Sequence, residues 1–389
     1  MSMKISRTAI AGAVALLALA GSAQAADGTL KIAYLEGLSG PFANVGEVGL
    51  RHLQYAADKV NARGGVLGQK IEVVPFDTKT SPQEAQLVFK QLVDQGIRYM
   101  MQGNGSAVAI ALTEALAKHN SRTPDKTVLY MNYGAVDPSL TNDRCNFYHF
   151  RFDADVDMKM HALTSYMAAQ KDMKKVYLIN QDYAFGQSKA GRAMLAKKRP
   201  DVQIVGDDLH PLGKVKDFAP YIAKIKASGA DAVVSGNWGN DIALLIKAAK
   251  ENGITANFYT YYAGGLGTPP VIGEAGVGHL KQVTVFHSNI GGSKTAEEVA
   301  AYRKRFPDSK DDFYWTSIMT AVDMLTRSIE ASKSTDPTKV AFAMEKMKAD
   351  QLTGEVYMRP ENHQLVQPIF VSTFSKANGK DVKFDVERT

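Results

Sequence analysis

Cysteine is nearly missing from this chain. Cys145 stands alone among 389 residues. One thiol forms no internal disulfide and no multi-thiolate zinc site. Charge of one sign is missing too: 46 basic residues face 40 acidic ones, for a net charge of +6. No Lys/Arg block forms a nucleic-acid-binding arm, so nucleic acid is not an expected partner. No segment has the ~18 consecutive apolar residues of a membrane-spanning helix. Enzyme signatures are absent as well: no GxSxG elbow, P-loop, HExxH or CxxC occurs. The eight histidines are scattered with no i, i+4 pair. Gly103-x-Gly105 matches part of a dinucleotide loop, but Val108 stands at the third glycine position. Asp153, Asp155 and Asp157 alternate like an EF-hand opening, yet no glycine or closing glutamate follows; a charged helix start accounts for them. Neither a cofactor nor a metal is expected.

The N-terminus is a sequence of another kind. Lys4 and Arg7 precede the uncharged apolar run 9–21, and Ala23-Gln24-Ala25 supplies a small–x–small motif. This is the pattern of a secretory signal peptide over 1–25, cut between Ala25 and Ala26. The run is too short for a spanning helix, and no cysteine at the cut offers a lipid anchor. Its removal takes two positive charges from the total. A periplasmic location is expected.

The body alternates short apolar runs with helical patterns. Strands are expected at Leu30–Leu35, Lys70–Phe76, Arg98–Gln102 and Thr127–Asn132 in the first half. Others follow at Lys175–Asn180, Val202–Asp207, Ala232–Ser235, Asn257–Tyr261 and Gln282–Phe286. Helices of ten residues or more lie between them. Ser81-Pro82-Gln83-Glu84 has cap, first-position proline and capping-box acid in order. This rhythm predicts doubly wound parallel sheets, split into two by the strand number. A tail of three helical segments, the last Pro337–Lys348, precedes antiparallel-looking strands near Gly354–Arg359 and Leu365–Ser375.

Ligands of open parallel sheets bind beyond the strand carboxyl ends. In the first half those positions are Gly37–Phe42, Gly103-Asn104-Gly105-Ser106 and Tyr133–Asp137. Gly105 and Ser106 bring N–H groups and a hydroxyl to a helix start, which suits a carboxylate; the plain alternative for Ser106 is an N-cap. The second half offers Tyr183, Phe185, Trp238, Tyr261 and Tyr262, which suit an apolar or aromatic body. Core packing is the plain alternative for each. Trp238 sits in a Gly/Asn-flanked loop, whereas Trp315 opens an apolar helix and reads as core.

Several stretches carry a family resemblance. They are Gly37–Gly46 (GLSGPFANVG), Val60–Gly68 (VNARGGVLG), Phe76-Asp77 with Ser81-Pro82, the Gly103–Ala111 loop and helix, Tyr183–Gly186 and Ile246–Gly253. Together they resemble the periplasmic solute-binding proteins of branched-chain amino-acid ABC importers. The resemblance implies an α/β fold of two doubly wound parallel-sheet lobes joined by a three-strand hinge, closing on a ligand. It implies a first lobe of 26–147 and 287–352 and a second of 148–286 and 353–389. It also implies a monomer without chemistry of its own, working with a membrane permease and a separate ATPase. Carried over, the carboxylate contacts fall on Ser106 and on the backbone of Gly134, Ala135 and Val136, with Asn104 and Gly105 as further ligand-binding candidates beside Ser106. The family's hydroxyl position is Val136 here, and its second-lobe acid, which holds an α-ammonium, is replaced around Gly264. An ammonium buried without a carboxylate is costly. The expected ligand is therefore a small carboxylate, an aromatic acid favoured, enclosed by Phe42, Tyr183, Phe185, Trp238 and Tyr262. A hydrophobic amino acid is the alternative ligand. An exported hydrolase using Asp137 or Asp182, or a sensing domain, are the readings from other classes.

Overall fold

The structure is a computed structural model that describes residues 28–183, 190–265, 267–286, 290, 292–307, 313–377 and 381–386. In chain order the strands begin with β1 (Thr29–Glu36), β2 (Lys70–Asp77), β3 (Tyr99–Gln102), β4 (Leu129–Asn132) and β5 (His149–Arg151). Next come β6 (Lys175–Gln181), β7 (Gln203–His210), β8 (Ala232–Ser235), β9 (Asn257–Thr260) and β10 (Leu280–Thr284). The last are β11 (Lys348–Gln351), β12 (Gly354–Arg359), β13 (Gln364–Val366), β14 (Phe370–Ala377) and β15 (Asp381–Val386). They form two sheets, β11-β12-β13-β5-β4-β3-β1-β2 and β15-β14-β10-β9-β8-β6-β7. Each has a parallel centre flanked on one side by antiparallel strands. The two-lobed α/β architecture expected from the strand–helix rhythm is what forms.

The central strands are short and wholly buried; β3, β4 and β8 have no exposed residue. Helices cover both faces of such sheets, so their strands read as continuous apolar runs. The helix Ala43–Ala62 packs close to β1 through glycine: a side chain at Gly49 would run into the hydroxyls of Tyr34 and Tyr133. Ser81 caps the helix Pro82–Asp94, accepting the Glu84 N–H at 3.4 Å.

Three strands fall elsewhere than the segmentation implied by resemblance. β5 belongs to the first sheet, so the first crossing follows Arg151 and not residue 147. β12 and β13 also join the first sheet, so the last crossing follows Val366 and not residue 352. Gln364 on β13 pairs in register with Arg151 on β5, so two crossing strands lie side by side. Three-residue strands carry no periodicity of their own, and only the pairing partner decides their sheet. The chain changes sheet three times, after β5, after β10 and after β13. The expected helix over 337–348 ends at Met344, and β11 follows it.

Candidate functional site

In both sheets the strand order turns at one place. In the first, β1 lies between β3 and β2; in the second, β6 lies between β8 and β7. Crevices at such switch points receive ligands. The two crevices face each other and enclose a small cavity. Gly103, Asn104, Gly105, Ser106, Gly134, Val136 and Trp315 line it from the first lobe, and Tyr183, Trp238 and Tyr262 from the second. Its volume is about 20 Å³, room for about one water. Any organic ligand therefore needs the walls to draw apart.

The first-lobe wall is rich in donors. Gly105, with φ of 88°, is the N-cap of the helix Ser106–Arg122. Ser106 is thus the first helical residue and not the cap. Its side chain is 2% exposed and makes no hydrogen bond to the described residues. The first N–H groups of a helix have no intrahelical acceptor and carry its positive end. Trp315 adds a buried indole N–H with no acceptor among the described residues. Sequence reasoning assigned Trp315 to the core. It is 3% exposed, but it precedes the helix Thr316–Ser332, packs edge-on against Tyr133 at 4.9 Å and reaches the cavity. Its signal was the aromatic run Phe313-Tyr314-Trp315 at a helix start.

The Gly134–Val136 segment behaves differently from a set of free amides. The N–H groups of Gly134 and Ala135 both donate to Asn132 Oδ1, at 3.1 and 2.8 Å. Ala135 packs into the first-lobe core behind the cavity. The Gly134 carbonyl accepts the Tyr262 hydroxyl at 3.3 Å. Val136 contributes an apolar wall.

The second lobe brings the aromatic residues. Trp238 is 3% exposed and donates from Nε1 to the Tyr183 hydroxyl at 2.9 Å. Phe42 stays outside the cavity and stacks on Trp238 across the cleft, centroids 4.2 Å apart. Beside it Asn240 Nδ2 donates to the Pro41 carbonyl at 3.1 Å, a second bridge between lobes. Tyr261 is buried off the cavity, against Met160. Gly264 is also off it, its N–H donated to Gln282. Phe185 lies outside the described residues.

Behind Tyr262 sits a buried ion pair. Lys159 Nζ lies 2.6 Å from Asp153 Oδ2, each side chain 2% exposed. The ammonium also donates to Tyr262 Oη at 3.2 Å. Burial pushes the Asp153 carboxyl up and pulls the Lys159 ammonium down, each opposed by the charge of the other. Asp155 caps the helix Val156–Ala168 through the Met158 N–H at 2.8 Å and pairs with the buried Arg151 at 3.1 Å. The alternating aspartates are thus a helix start and two ion pairs. No group of three or more metal-ligating side chains occurs among the described residues. No aspartate or glutamate lines the cavity among them.

Comparison with known proteins places this geometry in a family. The model of the periplasmic binding protein family matches residues 29–380. A Brucella melitensis protein named Leu/Ile/Val-binding protein homolog 4 is 33% identical over 371 residues, spanning 94% of this chain and 88% of that one. The closed leucine-, isoleucine-, valine-, threonine- and alanine-binding protein of Brucella ovis superposes with a TM-score of 0.80 at 30% identity, covering 92% and 94% of the two chains. A Rhodopseudomonas palustris solute-binding protein in complex with 3,4-dihydroxybenzoic acid has the same fold, with TM-score 0.80, 20% identity and coverage of 93% and 96%. With a match of that extent over a two-lobed fold with a cavity between its switch points, the chain belongs to the periplasmic binding protein family.

Proposed function

We propose that this protein is the ligand-capturing subunit of an ABC importer, exported by its N-terminal signal and carrying a small carboxylate to a membrane permease served by a separate ATPase. It catalyses no reaction. The observation that carries the ligand class is the polarity of the cavity: donors are at hand, and none of its described lining residues is an aspartate or glutamate. Ser106 Oγ, the helix N-terminus and Trp315 Nε1 offer hydrogen bonds. No carboxylate among the described lining residues meets an ammonium, and the Gly134 carbonyl already accepts Tyr262. An anion gains there and a zwitterion leaves its cation unpaired. Tyr183, Trp238 and Tyr262 provide flat apolar surface for an aromatic body.

Capture proceeds by closure. The first lobe receives the carboxylate at Ser106, and the second closes its aromatic residues over the remainder. Only contacts made in the closed form drive closure. A thermal-shift screen tests the ligand: benzoate, 4-hydroxybenzoate and cinnamate are expected to stabilise the protein, by about 2.7 kcal/mol at one hundred times the dissociation constant. Stabilisation by leucine or valine alone overturns the aromatic-acid reading. It would favour the second reading, a hydrophobic amino acid, which the 33% identity to the Brucella melitensis homologue supports. Mass spectrometry of the denatured protein identifies any co-purified molecule, and turnover of a bound compound would overturn the non-enzymatic reading.

A further inference from the structure

We propose that Glu36 is a positioning residue of the ligand cavity: its buried carboxyl shapes the Gly103–Ser106 loop and takes up a proton when an anion binds above it. The second half of this rests on the reading of the ligand as a carboxylate.

Glu36 ends β1 at the switch point and is 1% exposed. Its Oε1 accepts the Gly103 N–H at 2.7 Å, the Asn104 N–H at 2.9 Å and the Tyr133 O–H at 2.6 Å. Asn104 Nδ2 donates to the same tyrosine oxygen at 3.0 Å. Gly103 and Asn104 are themselves cavity wall. The carboxyl therefore lies one layer beneath the surface that receives the ligand, and it holds that surface in shape by its amides.

No basic side chain pairs with Glu36 among the described residues. Tyr34 on its own strand, Tyr130 on β4 and Tyr133 beyond β4 are all held neutral, their phenols pushed well above the usual range by burial. Asp77, its register partner on β2, is ionised: it accepts from Leu38, Lys79 and Ser39, and those hydrogen bonds hold it below its ordinary value. Arg51, on the covering helix, lies 3.8 Å from Glu47. Burial, partly offset by the three donors, pushes Glu36 up to about 7. A second negative charge placed over Asn104 disfavours the ionised form further. Binding an anion near neutral pH must then draw a proton onto Glu36. An ammonium pointing at the same loop would expel one.

The test is calorimetry of benzoate binding at pH 7 in two buffers of different ionisation enthalpy, with wild type and Glu36→Gln. Glutamine keeps an oxygen for the two amides and removes the titration. Wild type is expected to take up about half a proton per benzoate and Glu36→Gln none. Across pH 7 to 8 the wild-type Kd should rise toward tenfold per pH unit, and the Glu36→Gln profile should stay flat. No uptake by wild type, or equal uptake by both, overturns the proposal. If benzoate binds neither protein, the ligand reading fails, and the infrared carboxyl band of ligand-free wild type decides the role of Glu36. That band is expected to disappear near pH 7. If no buried carboxyl titrates above about pH 5, the proposal is overturned.

Discussion

Ser106 lines the cavity, whereas Lys159 sits in a buried ion pair behind it. Ser106 Oγ makes no hydrogen bond to the described residues. Ser106→Ala should therefore weaken benzoate binding by about 2 kcal/mol, as a lost hydrogen bond to a charged group. The melting temperature should stay within a degree or so, and calorimetry with a thermal melt reads both. Lys159 is the opposite case. Lys159→Met leaves Asp153 buried and unpaired, which costs about 3–5 kcal/mol in chemical denaturation. His149 is buried beside Arg151 and Asn132, and burial pushes it down to about 3. Its folded value is below its unfolded one, so its contribution is present above pH 6.5 and lost as pH falls through that interval. His149→Gln should flatten the acid limb of the stability curve by about 1.4 kcal/mol per pH unit between pH 6 and 4. Ser106 was legible in the sequence because a glycine-flanked serine at a helix start has local meaning. Glu36 was not, because a glutamate ending a strand reads as solvent-exposed until Gly103 and Tyr133, far along the chain, close over it.

Elements were legible in proportion to their length. The helices Ala43–Ala62 and Pro82–Asp94 begin and end close to where caps and glycines mark them. The Ser81 cap is local chemistry, and Ser81→Ala should lower stability by about 1 kcal/mol in urea melts without changing ligand affinity. β5 and β11, of three and four residues, left no pattern: Arg151 and Asp350 interrupt any apolar run. They exist because neighbouring strands present unpaired amides. Arg151 is tolerated inside because Asp155, Thr141, Gln364 and the Asp137 carbonyl receive its donors. Those partners come from three separate segments, which no local pattern announces.

At the scale of the whole molecule, the lobes meet through Phe42 on Trp238, Asn240 on Pro41 and Tyr262 on Gly134. A cavity of about 20 Å³ requires these contacts to part before a ligand enters. Small-angle scattering should show benzoate reducing the radius of gyration of the wild-type protein. Trp238→Ala should abolish that change and weaken binding at least tenfold, because it deletes both a cavity wall and a bridge between lobes. A sharp fall in melting temperature with unchanged affinity would make Trp238 core instead.

Sequence alone determined the two-lobed α/β class, the helix caps and the donor-bearing Gly105-Ser106 start, since each depends on neighbours within a few residues or on a repeated rhythm. Only tertiary structure decided which sheet the shortest strands join, that Trp315 faces a cavity, that Gly264 does not, and that Glu36 lies buried beneath the cavity wall. Those outcomes depend on groups distant in the chain competing for the same hydrogen bonds and the same buried volume.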